Sequence, residues 1–221
     1  MLVVQEIWAK GRHSPLYDPT SFEIAPGEVI IIQADSQLER TALSLTLTGR
    51  MKPSGGEIYL RDEDGENETS LSLKELRARS EIIDSPKINE PENFMRVHDY
   101  ISEMVSYTLG PFQRPHSKKW LRQRGLEELE NLWVEELTGE QNIELMSALA
   151  ASYPHAEILV FDTPSRHLNH TSMWVGHLQA LAQDPEQPRA VIAVVPHISS
   201  AWKGKSVVVV NAHKDFETEG N

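Results

Sequence analysis

The 221-residue chain predicts an α/β fold: a mostly parallel central sheet, an antiparallel β part at the N-terminus and an inserted helical subdomain. Three observations carry that prediction. Apolar runs at Val29–Ile32, Glu157–Phe161 and Ala190–Val195 are short and rich in β-branched residues, as strands buried on both faces are. Helix-length segments at Leu38–Thr48 and Thr171–Ala182 fall between such runs, and strands alternating with helices form parallel sheets. Ahead of the first run, residues 2–8 and 20–24 have strand patterning, and Pro26-Gly27-Glu28 makes a turn into it.

In chain order, the helix from Leu38 ends at Gly49, since glycine accepts the left-handed geometry that closes a helix. The turn Lys52-Pro53-Ser54-Gly55-Gly56 leads into a strand from Glu57 to Leu60. Arg61–Ser72 is acidic and polar and reads as a solvated loop or hairpin tip. Leu73–Arg79 forms a short helix, Ile82 and Ile83 belong to another strand, and the proline-containing stretch Ser85–Asn93 is a linker. From Phe94 to Ala151 the pattern is helical, with stripes at Phe94, Val97, Ile101, Met104 and Val105 and at Trp120, Leu121, Leu126, Leu129 and Trp133. Such stripes pack a core. Residues 88–136 are read as the insertion, and 1–87 with 137–221 as the α/β core. A last strand spans Ser206–Val210, and Lys214–Asn221 is a frayed tail.

Composition narrows the function classes. A formal net charge of −12 opposes nucleic acid and anionic lipid headgroups. The absence of cysteine removes disulfides, thiolate metal sites and thiol catalysis, and fits a reducing cytoplasm. No apolar run approaches 18 residues, so direct membrane insertion is not expected, and Met1–Glu6 lacks the basic flank of a signal peptide. His167, His170 and His177 lack a suitably spaced carboxylate or thiolate, so a solvated histidine group is the simpler reading than a metal site. Ser36 and Ser165 lack a nucleophile-elbow context.

The strand, turn and helix of Val29–Leu43 stand where an α/β chain places a phosphate-binding loop, G-x-x-x-x-G-K-[ST]. Laid on that pattern, the glycines become Gln33 and Leu38, the lysine Glu39 and the hydroxyl residue Arg40, with Asp35, Ser36, Gln37 and Thr41 completing the segment. Gln37 and Leu38 resist the backbone geometry that aims amides at phosphates. Glu39 puts a carboxylate where a cation is required; like charges about 4 Å apart repel by about 4 kcal/mol at an effective dielectric of 20. Arg40 offsets this in part if it turns inward. Alone, the stretch is no more specific than a generic strand–turn–helix.

The order of several segments is more informative. Gly55-Gly56-Glu57-Ile58 begins 22 residues after Gln33. Leu137-Thr138-Gly139-Glu140-Gln141 opens a helix, Ile158-Leu159-Val160-Phe161-Asp162-Thr163-Pro164 follows, and Val194-Val195-Pro196-His197 lies beyond. Across nearly the whole chain this resembles the nucleotide-binding domain of ATP-binding cassette (ABC) transporters, a P-loop NTPase-like fold whose helical subdomain falls where the insertion does. The resemblance implies ATP and Mg²⁺ as cofactors. It places Asp162 as the aspartate that holds Mg²⁺ through water, if Mg-nucleotide binds, and His197 as the switch histidine. Residues 137–141 resemble the signature LSGGQ, which caps a partner subunit's ATP; Thr138 keeps a hydroxyl, while Glu140 stands where glycine is expected. Thr163 replaces the glutamate that polarises water and cannot act as a base near neutral pH. Leu168-Asn169 replaces Leu-Asp. Neither Asp84 nor Ser85 is the coupling glutamine, and only Arg12 or His13 stands near the place of the adenine-stacking aromatic.

The frame is kept while the lysine, the hydroxyl, the catalytic glutamate and the coupling glutamine are replaced. Phosphoryl transfer rests on positioning and charge neutralisation, which those groups supply. No catalytic residue is therefore assigned, and absent own-site hydrolysis is expected. The resemblance implies a degenerate ABC subunit, a pseudo-ATPase, acting as a structural or regulatory partner. It would sit in a homo- or hetero-dimer with an ABC ATPase-like subunit, or beside a membrane permease, in the cytoplasm or at the inner face of the membrane through a protein partner. The alternatives are a working ABC ATPase in which Arg40 or Lys52 supplies the charge, and a nucleotide-independent soluble interaction module.

Overall fold

The computed structural model describes residues 1–62, 64–107 and 116–209. Its strands form two sheets. β1 (Leu2–Lys10), β2 (Pro15–Ile24), β4 (Gly55–Arg61) and β5 (Glu68–Ser70) make an antiparallel sheet in the order β2-β1-β4-β5. β6 (Ser80–Ile83), β7 (Ile158–Asp162), β8 (Ala190–Val195), β3 (Val29–Gln33) and β9 (Lys205–Val208) make a parallel sheet in the order β6-β7-β8-β3-β9. The helices are α1 (Gln37–Leu47), α2 (Leu73–Arg79), α3 (Val97–Ser106), α4 (Ser117–Gln123), α5 (Gly139–Ala151) and α6 (Thr171–Ala182). The mixed α/β architecture with both sheet types is the one the sequence predicts.

The central strands are apolar throughout because both faces are covered. Every residue of β7 and β8 is buried. Side chains alternate between two cores, as the strand period of two requires. Ile31, Leu159, Phe161, Val191, Ala193 and Val195 pack with α3, α5 and α6. Ile30, Ile32, Ile158, Val160, Ile192 and Val194 pack with α1 and the antiparallel sheet. At about 25 cal/mol per Å² of apolar surface, these two layers supply the main drive for folding.

Several local expectations need correction. The second strand begins at Pro15 rather than residue 20, since its whole length pairs with β1. The polar stretch after β4 contains β5, which returns antiparallel on β4 as a hairpin. The helical pattern from 94 to 151 is interrupted: Glu127–Leu129 and Val134–Glu136 are single 3₁₀ turns. Phe94 precedes α3 and is 80% exposed, so it is not part of the core stripe. Trp133 also lies at the surface, stacked beneath the Arg96 guanidinium. Val210, the expected tail Lys214–Asn221 and residues 108–115 of the expected helical stretch lie outside the described residues.

β3, β7 and β8 run parallel and in register, so Gln33, Asp162 and Val195 end side by side. In open α/β sheets the crevice beyond these carboxyl ends is where ligands bind. The parallel sheet thus gathers three segments that are remote in sequence.

Candidate functional site

Asp162 is the centre of the site. It ends β7, is 1% exposed, and has both carboxylate oxygens filled by protein donors. Oδ1 accepts from Gln37 Nε2 at 3.1 Å and has the Thr163 hydroxyl at 2.9 Å. Oδ2 accepts from the hydroxyls of Thr41 and Ser85, both at 2.7 Å. Four donors on one buried carboxylate offset the cost of removing its charge from water.

The segment 33–41 lies against this carboxylate. Gln33 is still in β3, and its side-chain oxygen accepts from the Ile198 amide at 3.0 Å, tying down the loop that carries His197. Three residues, Ala34, Asp35 and Ser36, then connect β3 to α1. Ser36 caps α1: its hydroxyl accepts from the Glu39 amide at 3.2 Å, while the Glu39 carboxylate accepts from the Ser36 amide at 3.1 Å. This is a capping box, and Ser36-Gln37-Leu38-Glu39 carries its S-x-x-E signature. Glu39 is thus directed back over its own helix end, 8% exposed.

Arg40 turns inward and is 7% exposed. Its Nη1 donates to the carbonyls of Ala34 at 2.8 Å and Asp35 at 2.6 Å, its Nε to Thr163 Oγ1 at 3.0 Å and its Nη2 to Gln37 Oε1 at 3.0 Å. Burial pulls the guanidinium below its ordinary value, opposed by the carboxylates of Asp162, Glu39 and Asp35. Arginine remains cationic through such a shift. Gln37 completes the network: its amide nitrogen also donates to Thr41 Oγ1 at 3.0 Å. Leu38, on the opposite side of the first turn, is 64% exposed.

The hydroxyl that meets Asp162 is therefore that of Thr41, and the cation turned into the loop is Arg40. The sequence pattern laid from Gln33 puts the hydroxyl position at Arg40 and the cation position at Glu39, each one residue before the Thr41 hydroxyl and the inward-turned Arg40.

Thr163 follows Asp162 with φ 61° and ψ 55°, the left-handed region, which a β-branched residue enters at a cost of about 1–3 kcal/mol. Its amide bond to the Val194 carbonyl at 2.8 Å and its hydroxyl contacts hold it there. The loop that follows meets the β6 end. Asp84, itself at φ 56°, pairs with Arg166 and with His167 Nε2, the latter at 2.6 Å. The sequence reading missed this clamp, since nothing in it marks Asp84 as left-handed. In sequence, Ser85 is marked only by not being the coupling glutamine. Among the described residues no group of three or more His, Cys, Asp or Glu could hold a metal. His167 is spent on Asp84.

The signature-like segment lies at the start of α5. Thr138 caps the helix: its hydroxyl accepts from the Gln141 amide at 3.2 Å, and its own amide donates to Gln141 Oε1 at 2.9 Å. Leu137 is buried, and Glu140 is exposed. Gly139 touches the loop after β7 so closely that any Cβ would collide with the His167 carbonyl. His197 is exposed beyond β8, as are Arg12 and His13 after β1.

No family model matches the chain. Among solved structures it is similar to a protein from Pyrococcus furiosus described as an ABC transporter ATP-binding protein, with TM-score 0.65, 16% identity, and coverage of 96% of this chain and 98% of that one. It is also similar to MJ1267, an ATP-binding cassette of an ABC transporter, with TM-score 0.68, 14% identity, and coverage of 95% and 87%. The chain has the fold of an ATP-binding cassette. The post-hydrolysis dimer of the cassette MJ0796, bound to ADP and Pi, matches at TM-score 0.63 and 16% identity over 95% of this chain and 94% of that one. In sequence, the chain is 23% identical over 211 residues to an ATP-dependent lipid A-core flippase of Burkholderia pseudomallei. The match takes in 91% of the chain but only 33% of the flippase, so the chain spans about a third of that relative's length.

Proposed function

We propose that this cassette is a degenerate ABC-type subunit that does not hydrolyse ATP at its own site and serves as a structural or regulatory partner of a membrane transport complex or of an active ABC subunit. The observation that carries the proposal is Thr163. The residue after Asp162 has no base, and its hydroxyl is committed among Arg40, Gln37 and Asp162. We read the loop one residue later than the apolar run suggests, with Arg40 in the lysine's place and Thr41 in that of the hydroxyl. Even so, Mg-nucleotide does not fit the site as it stands. Mg²⁺ binds through one or two carboxylates plus substrate phosphates, and the Asp162 carboxylate is saturated by four protein donors. No hydrolytic step is therefore derived through it.

The same reading assigns residues 1–87 and 137–221 to the cassette core and 88–136 to the inserted helical part. MJ0796 is dimeric in its structure, and the flippase is a transporter; dimerisation with an ABC ATPase-like subunit, or docking on a permease, follows by likeness. In such a dimer Thr138 and Gly139 would face a partner's nucleotide. Among the described residues no helix is long and apolar enough to cross a membrane, which suits attachment at the cytoplasmic face through a protein partner.

One observation favours a second reading, a working ATPase with Arg40 as the cation: Arg40 does point inward, and Thr41 does meet Asp162. That reading requires Arg40 to give up four hydrogen bonds to protein acceptors. Phosphate release by the purified chain decides between them. We expect none above background with Mg²⁺ and ATP; magnesium-dependent turnover abolished by Asp162→Ala would establish the second.

A further inference from the structure

We infer that the loop between β3 and α1 is self-liganded: the Glu39 carboxylate occupies the anion position at the α1 N-terminus, Arg40 and Gln37 close the interior, and the loop holds its shape without nucleotide. This builds on the reading of the chain as an inert subunit and goes further, from no turnover to no phosphate binding.

The N-terminus of a helix attracts an anion because its first amides lack partners and its dipole is positive there. In α1 that anion is already present within the chain. The Glu39 carboxylate takes the Ser36 amide, and the Ser36 hydroxyl takes the Glu39 amide, so two donors of the turn are used. The loop backbone is turned the wrong way for a phosphate as well. A phosphate cradle needs amides pointing inward. Here the carbonyls of Ala34 and Asp35 face the interior, where they bind Arg40. A phosphate in that space would meet two carbonyl oxygens.

Charge points the same way. The carboxylates of Asp162, Glu39 and Asp35 all favour the charged form of Arg40, whose hydrogen bonds go to Ala34, Asp35, Gln37 and Thr163. An incoming phosphate would have to take Arg40 from them. Gln37 spans what remains, with its nitrogen on Thr41 and Asp162 and its oxygen on Arg40. The side chains of Gln37, Arg40 and Thr41 thus bond to other parts of the same chain.

The test uses the full chain, with inorganic phosphate, ATP and Mg-ATP as probes, in thermal-shift and calorimetric titrations. The wild type should show no shift of its unfolding midpoint and no binding heat at millimolar concentration. Glu39→Gly vacates the anion position; its midpoint should fall by several degrees, and millimolar phosphate should restore it, because a ligand that binds only the folded state raises the midpoint. Glu39→Ala vacates the same position without adding backbone freedom, and gives the same reading if the glycine variant does not fold. Stabilisation of the wild type by phosphate or ATP overturns the inference, as does failure of phosphate to rescue both variants. Binding of ATP by the wild type without phosphate release overturns only the self-liganded loop. Magnesium-dependent turnover overturns the inert-subunit reading as well.

Discussion

Helix α1 begins with Ser36 and Glu39 exchanging hydrogen bonds, and α5 begins with Thr138 and Gln141 doing the same. At α1 the returning side chain is a carboxylate, it is buried, and the next residue is an arginine folded under it. At α5 the returning side chain is a neutral amide, Thr138 is exposed, and Glu140 points to solvent. Two copies of one capping device thus have opposite consequences. The first helix end is used up inside the chain, while the second remains at the surface, where a partner can reach it. Charge and burial, rather than the capping pattern, decide which helix end is left for another molecule.

The largest way to break that contrast is Asp162→Ala. It removes the shared acceptor of Gln37, Thr41 and Ser85 and leaves Arg40 buried with less compensation. A buried donor left without its acceptor costs about 1–3 kcal/mol, and several lose theirs together. Urea denaturation should show a loss of that order, and a loss below about 1 kcal/mol would mean that the network contributes little. Next is Gly139→Ala, where the added methyl collides with the His167 carbonyl. Overpacking of this kind costs about 1–3 kcal/mol. In a complex reconstituted with an active ABC subunit, the same variant should lower the partner's ATPase at least severalfold; unchanged activity would separate α5 from the partner's site.

Smaller effects sharpen the comparison of the two caps. Ser36→Ala and Thr138→Ala each remove a capping hydroxyl, a change worth about 0.5–2 kcal/mol. The Ser36 variant should sit toward the upper end, because the Glu39 amide that loses its acceptor belongs to a buried residue, and equal losses would argue that burial makes no difference. The smallest effect is a control away from both ends. Burial pushes the Tyr17 phenol up to about 12. The folded state then holds that proton more tightly than the unfolded chain. Its contribution is complete below about pH 10, the unfolded value, and is lost as pH rises through the folded one. Tyr100 and Tyr153 are raised by burial too, so Tyr17→Phe should flatten the alkaline decline only in part.

What was legible in the sequence follows the same physical division. The strands β3, β7 and β8 announce themselves, because double burial demands an unbroken apolar run. The bounds of α2 and α6 match their patterns to the residue. The site was legible as an order of segments, with Asp162 and Thr163 in place. Its connections were not, because they join positions far apart: Ser85 and Asp162 are separated by 77 residues, and only the register of β6 against β7 brings them together. The direction taken by Arg40 and the left-handed backbone of Asp84 and Thr163 are three-dimensional facts with no sequence mark. The role of Glu39 does have one, the S-x-x-E capping pattern of Ser36-Gln37-Leu38-Glu39.

Amide hydrogen exchange across residues 33–41 of the full chain, with and without Mg-ATP, tests the closed loop most directly. Exchange protection reports whether these amides are already engaged. If Glu39, Arg40 and Gln37 close the loop, the amides of Glu39 and Arg40 are protected without nucleotide, and millimolar Mg-ATP leaves their rates unchanged. Rapid exchange in the free chain that slows severalfold on adding Mg-ATP would contradict it, and would mark the loop as an open nucleotide site.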